Sequence, residues 1–267
     1  MTFVPNSIIT LTTDFGLNDP FVGIMKGVIL SVNPDARIVD ITHGIPPQNI
    51  LAGAMALQTS CSYFPKGTIH LAVVDPGVGS NRRALLAVSD EYAFVGPDNG
   101  LLSPLIQSQK GVQVFHLTEE AFFLKPVSQT FHGRDIFAPV AAWLSSGKEP
   151  GSFGKPIGDW VWLRWPGPQP NSKGLRGTVL RIDRFGNLIT NVANQDLPKS
   201  GTARDAMEIL IGRHRIHRVC RSYAEAEGGE PFAIFGSAGL LEISVKQASA
   251  AEMLGVAPFD EFEVRFG

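Results

Sequence analysis

Cysteine is almost absent. Cys61 and Cys220 are the only two among 267 residues, and no CxxC spacing occurs. That excludes a disulfide framework and points to two buried thiols in a reducing compartment. An excess of one charge sign is missing as well. A formal net charge of −2 gives no sign of nucleic acid or an anionic membrane surface as a partner, and neither is expected. No stretch approaches the roughly 20 apolar residues of a membrane span. The chain enters a short apolar run, Ile8 to Leu11, without the basic segment and long hydrophobic region of a secretion signal. The expectation is a soluble cytoplasmic protein. Internal repeats and low-complexity tracts are absent too. With no His-Glu-x-x-His or Cys/His ligand spacing, no metal and no other cofactor is expected.

What is present is a globular composition, 44% hydrophobic and 18% charged, long enough for one large or two ordinary domains. The first half alternates strand-like and helix-like segments. Ser7 to Thr12, Arg37 to Ile41, Thr68 to Val74, Ala84 to Val88 and Tyr92 to Val95 read as strands. Pro20 to Val32 has a helical apolar period, as do Asn49 to Tyr63 and Arg134 to Leu144. This pattern predicts an α/β domain over residues 1–164 with a mostly parallel sheet covered on both faces. Trp165 to Ser172 is polar and proline-rich, so residues 165–175 are expected to be a linker. Beyond it, Gly177 to Ile182, Met207 to Ile211, His214 to Val219, Phe232 to Phe235, Gly239 to Val245 and Glu261 to Phe266 read as short strands between Gly, Asp and Ser turns. A smaller β-barrel or sandwich domain over 176–267 is expected.

The chemistry gathers at strand-to-loop junctions, where α/β proteins place ligands. Asp14 ends the first strand and can accept hydrogen bonds from vicinal hydroxyls, or serve as a turn or cap aspartate. Asp19 precedes Pro20 and can cap the following helix or hold a ligand ammonium group. In Asp75-Pro76-Gly77-Val78-Gly79, two glycines permit close backbone approach to a ligand, and Arg82 is spaced to pair with Asp75 across the loop. That pair is a water-activating device or a structural salt bridge. His132 sits between Phe131 and Gly133 just ahead of a helix, in a polar cluster that His43, His70, His116, His214 and His217 lack. Asp75, Arg82 and His132 together offer a carboxylate, a guanidinium and an imidazole. In the second domain, Asn187 both donates and accepts, which suits a heterocycle edge or a ribose hydroxyl, or an ordinary turn. Gly236 to Gly239 is a small-residue turn that lets a ligand approach the backbone or closes a hairpin.

Taken in order, Thr12 to Gly16, Asp75 to Gly79, Gly96 to Leu102, Phe131 to Asp135 and Asp183 to Asn191 resemble the S-adenosyl-L-methionine hydroxide adenosyltransferase family. These are adenosine-forming S-adenosylmethionine hydrolases, relatives of the fluorinases and chlorinases. The resemblance covers nearly the whole chain. It implies an N-terminal α/β domain, a C-terminal β-barrel and a homotrimer with sites at subunit interfaces. It also implies hydrolysis of S-adenosyl-L-methionine to adenosine and L-methionine, with Asp75, Arg82 and His132 as the catalytic set. Arg83 is adjacent, so the arginine assignment is open by one position. The resemblance further implies Asp14 on the ribose, Asn187 on the adenosine, and Asp19, Asp183 and Ser237 on the methionine side. In the fluorinase-like branch a tyrosine stands at the position of Asp75 and a Tyr-Ser pair at His132-Gly133, so this chain resembles the water-using branch. Gln48 stands where the halogenases carry a tryptophan. Two other readings remain: a metal-dependent nucleotide phosphatase with Asp14, Asp75 and His132 as ligands, and a non-catalytic adenosine or S-adenosylmethionine sensor.

Overall fold

In the computed structural model, residues 3–198 and 207–266 are described. The chain divides into two compact units, Met1–Arg164 and Trp165–Gly267. In the first, seven strands form one sheet: β1 (Ile8–Thr13), β2 (Arg37–Thr42), β3 (Ile69–Val73), β4 (Ala84–Val88), β5 (Ala93–Pro97), β6 (Gln113–Leu117) and β7 (Gly154–Ile157). Their order is β2-β1-β3-β5-β4-β6-β7. The four strands β2, β1, β3 and β5 are parallel, while β4, β6 and β7 join antiparallel. The sheet is thus mostly parallel at its core and mixed at one side. Period-2 alternation decides its faces. Ile9 and Leu11 pack with Ile69 and Leu71 against helix α1 (Phe21–Val32) and helix α4 (Ala138–Ser145). Helix α2 (Ile50–Ser60) packs with helix α3 (Ser103–Ser108) and also meets β1 and β2.

The helix ends follow local chemistry. Asn49 caps α2 by accepting from the Ala52 N–H at 2.9 Å, and the expected helix tail relaxes into a 3-10 turn at Cys61–Tyr63. The segment expected to open a helix at Arg134 instead makes a π-turn, Gly133–Phe137, that runs into α4. Such turns concentrate at functional sites. Asp19 does not cap α1: the N-cap position is Pro20 and no side chain bonds there.

In the second unit, β8 (Gln169–Asn171), β9 (Gly174–Ile182), β10 (Leu188–Ala193), β11 (Glu208–Ile211), β12 (His214–Ile216), β13 (Val219–Cys220), β14 (Pro231–Phe235), β15 (Leu240–Val245) and β16 (Glu261–Arg265) form one curled nine-stranded sheet. Beside it lies the short helix α5 (Ala250–Leu254). Strand β12 opens the strand order and β14 is next to last in it, yet the two are in contact, so the sheet curls into a half-barrel. Its interior is Val179, Leu188, Val192, Ile209, Leu241, Ile243 and Phe262. Part of the proline-rich stretch expected to be linker is ordered as β8, paired with β9.

At the end of the first unit, Asp159 is held by Arg83, and the Val161 N–H is held by Asp98 at 2.8 Å. The rings of Trp160 and Trp162 lie 5.4 Å apart in this strap. Both cysteines are free and buried, and burial pushes the Cys61 thiol up to about 12. Among the described residues no helix is long and apolar enough to cross a membrane.

Candidate active site

The sheet order changes direction at β1: β2 lies on one side of it and β3 on the other. Carboxyl ends of parallel strands at such a switch point form the usual ligand crevice. Asp14 directly follows β1 and Asp75 follows β3 by two residues, and Thr13 pairs with Val73, so both carboxylates leave the sheet at this edge.

Asp14 is shaped by its neighbours. Its Oδ2 accepts the Gln48 N–H at 2.7 Å, and Gln48 holds a left-handed φ of 65°. Thr13 Oγ1 bonds His43 Nδ1 at 2.8 Å, and the His43 carbonyl accepts from the Gly16 N–H at 2.9 Å. His43, which carries no signal in sequence, thus pins the Asp14 turn.

The loop after β3 builds the core of the site. The Ser80 hydroxyl donates to the Gly77 carbonyl at 2.6 Å and accepts from the Arg82 N–H at 3.3 Å, so the turn delivers Arg82 back to Asp75. Arg82 Nε donates to both Asp75 oxygens at 2.9 and 3.0 Å, and Nη2 donates to Oδ2 as well. The same Nη2 meets His132 Nδ1 at 2.7 Å. Its guanidinium lies over the Phe137 ring, 5.3 Å from the centroid. The pair is well buried, with side chains 4% exposed at Asp75 and 9% at Arg82. Arg83 turns away, to Asp98 at 2.8 Å and to Asp159. Arg82, not Arg83, therefore joins Asp75 and His132, a distinction that two adjacent arginines hide in sequence.

Two features bring His132 there. Gly79 has a φ of 76°, and a Cβ on it would overlap the Gln129 carbonyl oxygen, so only glycine lets the Asp75 loop lie against the segment leading to His132. Phe131 then packs edge-on against Phe15 and Phe21 at 5.9 and 5.2 Å, joining the His132 loop to the Asp14 loop. Arg134 and the Ser128 N–H both bond Asp135. Burial pushes the Asp135 carboxyl up, but these bonds outweigh it and hold it below the ordinary value.

Burial foremost, and then the Arg82 charge, push His132 below its ordinary value of 6.5; Asp75 and Asp135 oppose the shift only in part. Its imidazole is therefore neutral near pH 7. Arg82 can only donate, so Nδ1 accepts and the ring proton belongs on Nε2. A guanidinium between Asp75 and His132 is an arrangement for an oxyanion. Asp14, Asp75 and His132 do not form a metal-ligating group, and among the described residues no three His, Cys, Asp or Glu side chains do.

In the second unit, Asp183, Asn187 and Ser237 line one open cavity of about 1240 Å³. Asp183 Oδ1 accepts from the Phe185 and Asn187 N–H groups at 2.8 and 2.9 Å, and Oδ2 accepts from Asn187 Nδ2 at 2.8 Å. Asp183 is thus a clamp on the turn and on the Asn187 amide. Asn187 is 6% exposed, and its Oδ1 has no partner among the described residues. Ser237 is exposed at the rim. Asp19 is exposed beside the first unit's edge and makes no hydrogen bond or ion pair among the described residues. Sequence reading missed Glu242 and Tyr223, which share the cavity; the Tyr223 hydroxyl donates to Glu242 Oε2 at 2.9 Å.

The chain is similar to known proteins over nearly its whole length. The model for the SAM hydroxide adenosyltransferase N-terminal domain matches residues 9–154, and that for the C-terminal domain matches residues 177–263. An (R)-S-adenosyl-L-methionine hydrolase of Salinispora arenicola is 37% identical over 97% of this chain and 98% of its own length. A fluorinase of an Actinoplanes species is 26% identical over 73% of this chain and 75% of its own. The crystal structure of an uncharacterized conserved protein from Thermotoga maritima superposes with a TM-score of 0.89 at 35% identity, covering 96% of this chain and 99% of that one.

Proposed function

Because the chain belongs to the SAM hydroxide adenosyltransferase family, we propose that it hydrolyses S-adenosyl-L-methionine to adenosine and L-methionine. The observation that carries the reading is the Arg82 guanidinium shared between Asp75 and His132. A water molecule beside this group attacks the ribose 5′ carbon. The new bond is oxygen to C5′. The C5′–sulfur bond breaks, its electron pair stays on sulfur, and methionine leaves as a neutral thioether. The water proton is lost, and the oxygen becomes the 5′-hydroxyl of adenosine. Attack by a hydroxide-like oxygen on a sulfonium cancels charge, so a site that excludes water favours the transition state over the reactants.

Each group has a role in this reading. Arg82 supplies fixed positive charge for the developing hydroxide. His132 accepts from Arg82 through Nδ1, so its Nε2–H orients the water and does not deprotonate it. Asp75 is then the acceptor for the proton. Holding water in line with the scissile bond supplies several kcal/mol more. Asp14 accepts from the ribose hydroxyls, while Asn187, Asp183 and Ser237 receive the rest of the substrate, with Asp19 on the methionine side. No cofactor takes part. Site residues fall in both units, and the reading includes a homotrimer whose subunits complete one another's sites. It also includes a cytoplasmic location, in keeping with two unpaired buried thiols.

Chromatography of S-adenosyl-L-methionine incubated with the pure protein tests this. Adenosine and methionine are expected in equal amounts, with and without a chelator. Intact substrate, or turnover that the chelator abolishes, would overturn the proposal.

A further inference from the structure

Glu242 is the feature of the second unit that the proposed chemistry leaves unused. It lies on β15 with Ile189 of β10 directly across on one side and Ile234 of β14 on the other; Arg181 of β9 pairs with Ile189. This row crosses the cavity floor. Leu241 and Ile243, on the opposite face, are buried in the barrel core. Asn187 precedes Ile189 by two residues, so it is the diagonal cross-strand neighbour of Glu242, with Cα atoms roughly 7–8 Å apart in such pairs.

Sequence alternation suggests a solvated glutamate, yet Glu242 is only 9% exposed. The site is made to hold it: a Cβ on Gly236 would overlap the carboxyl group. Tyr223 satisfies Oε2. No arginine or lysine forms an ion pair with Glu242 among the described residues. Oε1 has no hydrogen-bond partner there either, and neither has Asn187 Oδ1. Two oxygens on nearly buried residues therefore remain open to one cavity as acceptors without protein donors among the described residues, between the apolar side chains of Ile189 and Ile234. Phe185, 78% exposed, stands at the rim with no aromatic partner among the described residues, a flat surface for a planar ring.

We infer that Glu242, with Asn187, reads the exocyclic amine of a planar nitrogen base, so that Glu242 sets the preference for a 6-amino over a 6-oxo purine. This rests on the proposed use of the cavity for the adenosine part of the substrate. An amine brings two N–H donors to two waiting oxygens. A 6-oxo group brings lone pairs to the same oxygens, and both sides remain unsatisfied. Burial above all, and also the Asp183 charge, push the Glu242 carboxyl up; the Tyr223 hydrogen bond and Arg181 oppose this. Protonation removes an acceptor, so amine recognition weakens as pH falls through the raised value of this carboxyl. The groups facing Glu242 are Tyr223, Asp183 and Arg181.

Glu242→Gln is a direct test because it keeps the volume of the side chain; whichever way the amide turns against Tyr223, which can both donate and accept, the cavity loses either an acceptor or the carboxylate charge. Calorimetric titration of the unaltered protein with adenosine, inosine and N6,N6-dimethyladenosine should favour adenosine by about tenfold or more over each. In E242Q the adenosine-to-inosine ratio should fall by about tenfold or more, and the pH step should vanish. Equal binding of adenosine and N6,N6-dimethyladenosine to the unaltered protein overturns the inference, and this arm needs no variant to fold. An unchanged ratio in E242Q overturns it as well. If S-adenosyl-L-methionine is still hydrolysed in either case, the inference alone falls. If the unaltered protein neither binds adenosine nor turns over the substrate, the functional reading falls with it.

Discussion

Taking the carboxylate from Asp75 would strand the Arg82 guanidinium in a place almost closed to solvent, and an uncompensated buried charge costs about 3–5 kcal/mol. Asp75→Asn is the cleaner probe, since the amide keeps the volume and an acceptor oxygen. Turnover of S-adenosyl-L-methionine is expected to drop by about two orders of magnitude in Asp75→Asn and in His132→Ala. Adenosine affinity, measured by calorimetry, should stay within a few-fold. Near-normal turnover in both variants would remove these residues from the chemistry. The lowered His132 value fixes a pH dependence with a definite sign. The neutral form is the working form, so kcat/KM should be flat near neutrality and fall as pH drops through a value below 6.5. The same depressed group contributes stability that is fully present above its unfolded value near 6.5 and is lost as pH falls toward the folded one. In His132→Asn the residual activity should lack this acid limb; a limb that persists belongs to another group. The motifs made Asp14, Asp75, His132 and Asn187 legible in sequence, because each sits in a turn that also carries glycine or proline. Glu242 was not legible, since a lone glutamate in an alternating strand looks like any solvated side chain. Its partner Tyr223 arrives only through folding.

Among the elements, the strong periodicities were readable: β1, α1, β2, α2 and β3 lie within a residue or two of where the pattern puts them, apart from the 3-10 turn that ends the second helical segment. The short pieces were not. Helix α3 and strand β7 have too few residues to set up a period, β6 is as long as β3 but is interrupted by the polar Gln113 and His116, and β10 lies inside a motif whose Thr190 and Asn191 are buried, which erases the alternation. Nor does a helical period distinguish the π-turn at Gly133–Phe137 from an ordinary first turn. The loop contact at Gly79 belongs to the same scale. Gly79→Ala must take a φ near 76° and also push against the Gln129 carbonyl, whereas Gly239→Ala meets a similar φ of 74° with open space around it. The backbone term alone costs about 1–2 kcal/mol in each. Gly79→Ala should therefore lower the melting temperature more than Gly239→Ala and also lose turnover, as His132 is displaced from Arg82. Calorimetric melts and initial rates decide this; wild-type rates in Gly79→Ala would show that the two loops need not approach.

For the whole molecule, the sequence pattern indicated two regions of different character, and the chain clusters into two units at Arg164 and Trp165. What patterning cannot convey is how many copies act together, because that depends on surfaces and not on periods. If subunits share sites, mixing an inactive Asp75→Asn chain with an inactive Asn187→Ala chain, then dissociating and reassembling them, should restore part of the activity. No recovery, or a fully active monomer by light scattering, would set the shared-site reading aside. The strap at the end of the first unit has an optical consequence. The chain has four tryptophans. Trp143, Trp160 and Trp162 all belong to the first unit, and Trp165 is the opening residue of the second. Intrinsic fluorescence is therefore a one-sided witness. It follows melting of the α/β half and of the strap pinned by Arg83, while the half-barrel comes apart largely in the dark and shows itself through far-ultraviolet dichroism.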